Sequence, residues 1–187
     1  MKHSVLLAVS IAALGLAGCS KKAETPVADS SPAASDVSLT PPVAATPTSP
    51  GQAFADTAAA SDAFEIQSSK LAATKAQSAK TKHFAEEMIK AHTDSTAKLK
   101  TASAAASPAI TPTPTLTAAQ QQTLDDLSSK SGADFDRAYA DAQRAGHQAT
   151  LDALKAYSAT GDVPSLKTFA TELVPIVTAH LNMAKGL

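Results

Sequence analysis

Three histidines are the residues of this chain best suited to site chemistry. His92, His147 and His180 each fall on the apolar side of a predicted helix rather than in a loop. Neutral imidazole is a common ligand for zinc, copper and iron. A carboxylate could complete such a site, and the candidates are Glu65, Asp62 and Asp136. The pattern allows one transition-metal site, but helical periodicity predicts only which side of a helix faces inward, not the height of a residue along it.

The same histidines have a structural interpretation, which we favour on the sequence alone. Gln143 and Tyr139 lie one and two turns before His147 on the same helical face. A buried hydrogen-bonded network of such side chains fixes the alignment of packed helices. On this interpretation no cofactor is expected, and a bound Zn, Cu or Fe ion is the alternative.

The spacings that mark common enzyme sites are missing from the sequence. A di-iron centre of the helical-bundle type needs Glu-x-x-His on two helices, so that both ligands share a face. Here Glu65 is followed at that distance by Ser68, and Glu172 by Pro175. There is no Gly-x-Ser-x-Gly, no His-Glu-x-x-His and no glycine-rich phosphate loop. We therefore predict that the protein is not an enzyme.

Composition excludes several other classes of function. The net charge is -1 at pH 7 and 18% of residues are charged, so no basic surface is available to attract nucleic acid. Aromatic residues make up 4% of the chain and tryptophan is absent, which leaves little for stacking on bases or sugars. With one cysteine the chain can form no internal disulfide, and the fold must be held by packing.

That cysteine defines the predicted N-terminal processing. Residues 1–18 combine an early Lys2, an apolar stretch and Leu-Ala-Gly directly before Cys19, which is typical of a bacterial lipoprotein signal peptide. Cys19 would become the first residue and carry the lipid, including palmitate. Ser20 stands where an aspartate usually causes retention at the inner membrane. We expect a lipid-anchored protein of the cell envelope, at the outer membrane and facing the periplasm.

The rest of the chain divides into a tether and a helical domain. Residues 19–50 are rich in proline, alanine, serine and threonine, which predicts a disordered tether. Residues 51–187 carry helical periodicity, with long helices expected over 52–77, 79–105, 133–159 and 163–187 and a short helix over 117–129. Four long amphipathic helices predict an all-α, antiparallel four-helix bundle with an extra short helix before the third long one.

The local signals at the helix ends are specific enough to test. Thr117 and Gln120 have the form of a capping box, Ser131 with Asp134 is a second candidate, and Asp162 is the expected cap of the last helix. Pro175 should bend that helix mildly. Its inward seam is expected at Leu166, Phe169, Leu173, Ile176, His180, Met183 and Leu187.

Several segments resemble a bacterial protein family, the domain of unknown function 4142. They are Ala-Ala-Ala-Ser-Asp-Ala-Phe-Glu-Ile at 58–66, His-Phe-Ala-Glu-Glu-Met-Ile at 83–89, Ser-Gly-Ala-Asp-Phe-Asp-Arg-Ala-Tyr at 131–139 and Leu-Val-Pro-Ile-Val-Thr-Ala-His-Leu at 173–181. The family-like positions are Phe135, Asp136, Tyr139, His147, Pro175 and His180. The resemblance covers about 54–187 and implies a ferritin-like helical bundle that is exported, but no reaction. Family members often carry an acidic residue where this chain has Ala91 and Gly146.

These observations predict a non-enzymatic, lipid-anchored envelope protein with a binding or interaction role. Its expected partners are the membrane, through the N-terminal lipid, and another envelope protein, with no nucleic acid. A metal-binding or metal-dependent bundle is the alternative, and a carrier of a small ligand between helices is a third possibility. The sequence does not predict an oligomeric state.

Overall fold

Five helices form the part of the chain that the structure describes. The structure is a computed structural model that describes residues 48–187. The helices are α1 (Pro50–Lys75), α2 (Ala79–Ala104), α3 (Ala118–Ser129), α4 (Gly132–Thr160) and α5 (Pro164–Lys185). Within these residues there is no strand, and the all-α prediction is confirmed. The predicted signal peptide, Cys19 and nearly all of the predicted tether lie outside the described residues.

Local capping explains where the first three helices begin. The Ser49 hydroxyl accepts a hydrogen bond from the Gln52 backbone N–H ahead of Pro50 in the first turn. Ser78 caps α2 in the same way. The predicted capping box of α3 is confirmed, because Thr117 and Gln120 each accept the other's backbone N–H.

The two other predicted caps are wrong. The Ser131 side chain makes no capping hydrogen bond, and the Asp134 carboxylate is instead paired with Arg137. The residue that caps α5 is Val163, while the Asp162 carboxylate accepts a hydrogen bond from the Tyr157 hydroxyl at 2.9 Å. In both cases a neighbouring side chain competes for the carboxylate that the local pattern assigned to the helix end.

Each long helix packs against two of the other long helices. The helix α1 packs against α2 and α4, and α5 packs against α4 and α2, while the short α3 lies on α1 and α4. One apolar cluster contains Phe54, Leu99, Tyr157 and Phe169. A second contains Ala72, Met88, Phe135, Tyr139 and Ala184. The first cluster takes the N-terminal part of α1, the C-terminal parts of α2 and α4, and most of the length of α5, whereas Ala184 near the end of α5 belongs to the second.

A layer of buried polar residues lies between the two apolar clusters. On α2 it contains His92, between Met88 and Leu99, and on α4 it contains His147, between Tyr139 and Leu151. Burial of each large apolar side chain in the clusters stabilises the fold by about 1.5–3 kcal/mol. The flanking clusters therefore fix the height at which the polar side chains of different helices meet.

The predicted seam of α5 is wrong at two positions. Ile176 and Met183 are the exposed large apolar side chains of the described residues, at 38% and 39% exposure, and Val177 and Ala184 are buried instead. A strict three-and-four spacing drifts away from the helical repeat of about 3.6 residues. Ala184 follows Leu166 by eighteen positions, or about five full turns, and so returns to its face. The helix continues through Pro175, and the bend expected there stays a prediction.

Candidate metal centre

The three predicted histidines converge, although they come from three different helices. His92 on α2, His147 on α4 and His180 on α5 are all buried. Their ring centroids are 5.5–5.7 Å apart in each of the three pairings. One ring nitrogen from each lies within 4.8 Å of those of the other two. Three buried histidines in this arrangement could hold a metal ion.

Each of these histidines has a buried nitrogen without a partner. They are His92 Nε2, His147 Nε2 and His180 Nδ1, none of which has a hydrogen-bond partner among residues 48–187. Leaving a buried polar atom unpaired costs about 1–3 kcal/mol. A structural network would pair these atoms with one another or with neighbours. A shared cation satisfies all three lone pairs at once, so the geometry favours the metal alternative over the structural one.

Hydrogen bonds at the opposite nitrogen orient two of the rings. The Nδ1 of His92 lies 2.8 Å from Asp62 Oδ1, and the other oxygen of Asp62 accepts a hydrogen bond from the Thr96 hydroxyl at 3.1 Å. The Nδ1 of His147 donates to the backbone carbonyl of Gln143 at 2.8 Å. Such contacts fix the tautomer of a metal-binding histidine and leave Nε2 free as the ligand atom.

The protonation of the rings follows from burial and from the neighbouring charges. Burial, together with the positive charge of His92, lowers the pKa of His147 to about 3 and that of His180 to about 4. These two imidazoles are neutral at pH 7 and available as ligands. Burial alone would lower the pKa of His92, but Asp62 and Glu65 raise it above its ordinary value. Where His92 is protonated, a metal ion must displace that proton to use its Nε2.

Glu65 borders the histidine cluster but is not one of its converging groups. Its side chain is 1% exposed, and Oε1 lies 3.6 Å from Nδ1 of His147. Neither carboxylate oxygen has a hydrogen-bond partner in the described part of the chain. Burial raises the pKa of Glu65 to about 7, against the opposing charge of His92. Glu65 is thus a charge beside the site rather than the direct ligand that the sequence suggested.

Asp136 is not one of the converging groups of the described residues. Its carboxylate accepts hydrogen bonds from the backbone N–H groups of Gln77 at 3.2 Å and Ser78 at 2.9 Å. Asp136 therefore holds the connection between α1 and α2. The acidic partner of the cluster is Asp62, which the sequence could not separate from the other candidates. Its position three residues before Glu65, on the same face of α1, was the available signal.

Both carboxylates come from α1, and Gly146 on α4 lies against one of them. A Cβ atom added at Gly146 would lie 2.8 Å from Glu65 Oε1 and 3.6 Å from the Phe64 ring. A side chain at this position would compete with Glu65 for the same space. The small residue on α4 thus makes room for a carboxylate contributed by α1.

The predicted structural pair, Tyr139 and Gln143, bonds mainly to serines of α1. The Tyr139 hydroxyl and Ser69 Oγ lie 2.7 Å apart, and the Gln143 amide donates to Ser68 Oγ at 3.1 Å. Only the Gln143 backbone carbonyl reaches the histidine cluster. These contacts link α1 to α4 at the level of the polar layer, beside the histidines rather than among them.

Replacing Tyr139 with phenylalanine should separate this packing role from metal binding. We expect the free energy of unfolding to fall by about 1 kcal/mol, since one buried hydrogen bond to Ser69 is lost. Urea denaturation of the metal-free chain measures the change. Metal content should stay at the wild-type level, and its loss would show that Tyr139 contributes to the site itself.

Two further features complete the description of these helices. An apolar groove of about 340 Å³ lies between α1, α3 and α4, which is where a small ligand between helices would be sought.

Over the described residues, no helix combines the length and the apolar character that crossing a bilayer requires.

Comparison with known proteins supports the family resemblance. A family model described as "Domain of unknown function (DUF4142)" matches residues 38–187, which confirms the resemblance and begins earlier than the motifs indicated. No match was found among the curated proteins or among the solved structures.

Proposed function

The chain belongs to the family of the domain of unknown function DUF4142, which names no activity, and we propose that it binds a transition metal in the bacterial cell envelope. His92, His147 and His180 are the proposed ligands. The observation that carries the proposal is the convergence of three buried histidines, one ring nitrogen of each lying within 4.8 Å of the others, and each ring also has a buried nitrogen without a partner in the described residues. The proposed role of the protein is to hold the ion, without catalytic turnover.

The arrangement of donors suits zinc or copper, with iron as a further candidate. Bonds of about 2.0–2.1 Å place the nitrogens bound to one such ion roughly 3.3–3.6 Å apart. Since the three nitrogens lie within 4.8 Å of one another, the rings need to move inward by at most about an ångström. Imidazole ligands accept zinc, copper and iron, and copper(II) normally binds such a site more tightly than zinc. Asp62 and Glu65 supply negative charge that balances the buried cation.

We also propose that the long helices form an antiparallel four-helix bundle of the ferritin-like type. The direction of each helix relative to its two packing partners supports this, as do the short connections at 76–78 and 161–163. The link from α2 to α4 is long and includes α3. One long crossover between two helical hairpins is the connectivity of ferritin-like bundles, in which metal sites lie between facing helices.

The metal proposal is tested by elemental analysis of the full-length chain, purified without an affinity tag and equilibrated with Zn²⁺ or Cu²⁺. We expect about one equivalent of metal in the wild type and near-complete loss in His147→Ala and in the more conservative His180→Gln. His83→Ala is the matched control, because His83 is exposed on α2 and pairs only with Glu87 at 3.5 Å. It should retain the metal.

Two results would contradict this assignment. If the wild-type chain binds no metal, the cluster is a structural polar core. If the His147 and His180 variants fold and still hold a full equivalent, the ion is bound elsewhere. Circular dichroism on the same samples identifies a variant that has lost its helices.

The proposed location rests on Cys19 and Ser20 of the sequence. We expect Cys19→Ser to abolish incorporation of labelled palmitate and to move the protein out of the membrane fraction. Ser20→Asp should keep the lipid and shift the protein from the outer to the inner membrane. Membrane fractionation by density gradient measures both results, and a Cys19→Ser chain that stays lipidated would contradict the predicted anchor.

A further inference from the structure

We propose that the metal centre keeps one coordination position open toward a small internal cavity, and that this position binds an exogenous ligand of one to three atoms, such as a small inorganic anion. This inference rests on the proposed function, since it concerns the same three histidines. It adds a ligand class and an entry route to a site that would otherwise only store an ion.

The number of protein ligands leaves such a position. Zinc and copper sites of this kind hold four or more ligands, and a site with three protein ligands completes its shell with water or another molecule. The converging group among the described residues consists of the three histidines only. Asp62 is already engaged through both oxygens, by His92 and Thr96. Glu65 lies next to Nδ1 of His147, on the nitrogen that faces away from the proposed ion.

A cavity lies directly beside two of the proposed ligands. It has a volume of about 20 Å³ and is lined in part by Asp62, His92, Ser95, Thr150 and His180. A polar cavity of about 10–15 Å³ is enough for one water molecule. The hydroxyl groups of Ser95 and Thr150 can donate hydrogen bonds to water or to a small anion, and the mostly apolar remainder of the wall limits the size of the occupant.

The same cavity shares a wall with a surface cleft between α2 and α5. The cleft has a volume of about 320 Å³. The residues that line both the cavity and the cleft are Ala91, Ser95, Leu173, Ile176 and His180. His180 is the proposed metal ligand that borders both the cavity and the cleft.

His180 is also the histidine of the cluster whose ring is not oriented by a hydrogen bond. The rings of His92 and His147 are each held at Nδ1 by an oxygen at 2.8 Å, whereas no hydrogen bond to the His180 ring is found among the described residues. The side chain is 9% exposed, the most of the three. These features make His180 the ligand best able to move when an ion or a small molecule enters.

The charge of the cleft suits passage of a small anion as well as a cation. Its walls carry the carboxylates of Glu87 and Asp94 and the ammonium groups of Lys90 and Lys98. Lys90 and Asp94 pair with each other at 3.1 Å. With two charges of each sign, the cleft presents no strong field of one sign that would repel an anion. The size of the entering molecule, limited by Leu173 and Ile176, is then the main property that decides whether it passes.

The test is a titration of the Cu²⁺-loaded full-length chain with azide, followed by absorption spectroscopy. We expect an azide-to-copper charge-transfer band that saturates at one azide per copper. Imidazole, which is too large for the cavity, should leave the spectrum unchanged over the same concentration range. Full copper content without an azide response would overturn this inference and leave the proposed function intact, whereas failure to bind copper would overturn both.

Variants of the shared wall test the route. Ala91→Leu should weaken azide binding at least tenfold while copper content stays at one equivalent. Ile176→Ala, at an exposed position, should widen the opening and allow imidazole to perturb the copper spectrum. Ala149→Leu is the matched control, because Ala149 is exposed on α4 and lines neither the cavity nor the α2–α5 cleft. Equal azide affinity in Ala91→Leu and Ala149→Leu would contradict entry through the α2–α5 cleft.

Discussion

Replacing Asp62 with alanine is expected to lower the free energy of unfolding by about 3–5 kcal/mol, since it breaks a buried pair and leaves one partner uncompensated. Asp62 is 4% exposed and His92 is equally buried, and the two lie 2.8 Å apart. Without Asp62, a positive charge on His92 has no adjacent acceptor at Nδ1. The Thr96 hydroxyl also loses its contact with the carboxylate, at 3.1 Å.

The same substitution should weaken metal binding. Removing the partner that orients a metal-binding histidine usually costs about 10–100-fold in affinity. Asp62→Asn, which keeps the volume of the side chain but removes its charge, should show the loss of affinity with a smaller loss of stability. Chemical denaturation of the metal-free chain and competition with a chromogenic chelator measure the two effects.

A surface aspartate on α2 provides the control for Asp62. Asp94 pairs with Lys90 across one helical turn, with side-chain exposures of 61% and 82%. An exposed pair of this kind contributes at most about 1 kcal/mol, so Asp94→Ala should change stability little and metal affinity not at all. If Asp62→Ala resembled Asp94→Ala in both measurements, the contact between Asp62 and His92 would have no energetic role.

The sequence predicted the helices well because their signals are local. The capping box of Thr117 and Gln120 needs only residues within one turn, and it is found as expected. Asp162 also lies where the local sequence predicts a helix cap, but its carboxylate instead accepts a hydrogen bond from the Tyr157 hydroxyl. The predicted buried face of α5 is wrong at Ile176 and Met183, because an alternating spacing of three and four residues departs gradually from the true helical repeat.

The candidate site could be predicted in its composition but not in its assembly. Periodicity placed His92, His147 and His180 on inward faces, whereas their common height depends on connection lengths and on the apolar clusters at either side. The choice between Asp62 and Asp136 depends on the same information. Asp136 shares a face with Tyr139 but lies near the N-terminal end of α4. There its carboxylate accepts hydrogen bonds from the backbone between α1 and α2.

The structural interpretation favoured from the sequence meets a specific difficulty in the structure. A network retained for alignment of helices is stabilising when its members satisfy one another. Tyr139 and Ser69 meet this condition. The unpaired nitrogens of the three histidines and the unpaired oxygens of Glu65 do not, and they are gathered in one place. The polar layer thus combines a satisfied part, which aligns helices, with an unsatisfied part that a ligand would complete.

The second large effect is expected from Glu65→Gln, and its sign depends on pH. Burial raises the pKa of Glu65 from about 4.5 to about 7 in the folded chain. Between these values the unfolded chain loses the proton while the folded chain keeps it, so stability falls as pH rises and then levels off above pH 7. The total cost of ionising the buried carboxylate is on the order of 3 kcal/mol. Glutamine has no such cost.

Metal-free Glu65→Gln should therefore gain stability relative to the wild type as pH rises from 4 to 8, with a difference that approaches 3 kcal/mol. Denaturant titrations at several pH values measure it, and Glu86→Gln, at an exposed position of α2, should run parallel to the wild type at every pH. A difference that shrinks with rising pH would contradict a raised pKa for Glu65. With saturating Zn²⁺ the order should reverse, because the ionised carboxylate then balances a buried cation and glutamine cannot. A carboxylate of a metal centre destabilises the metal-free protein and stabilises the metal-bound protein. A carboxylate of a purely structural core has no such reversal.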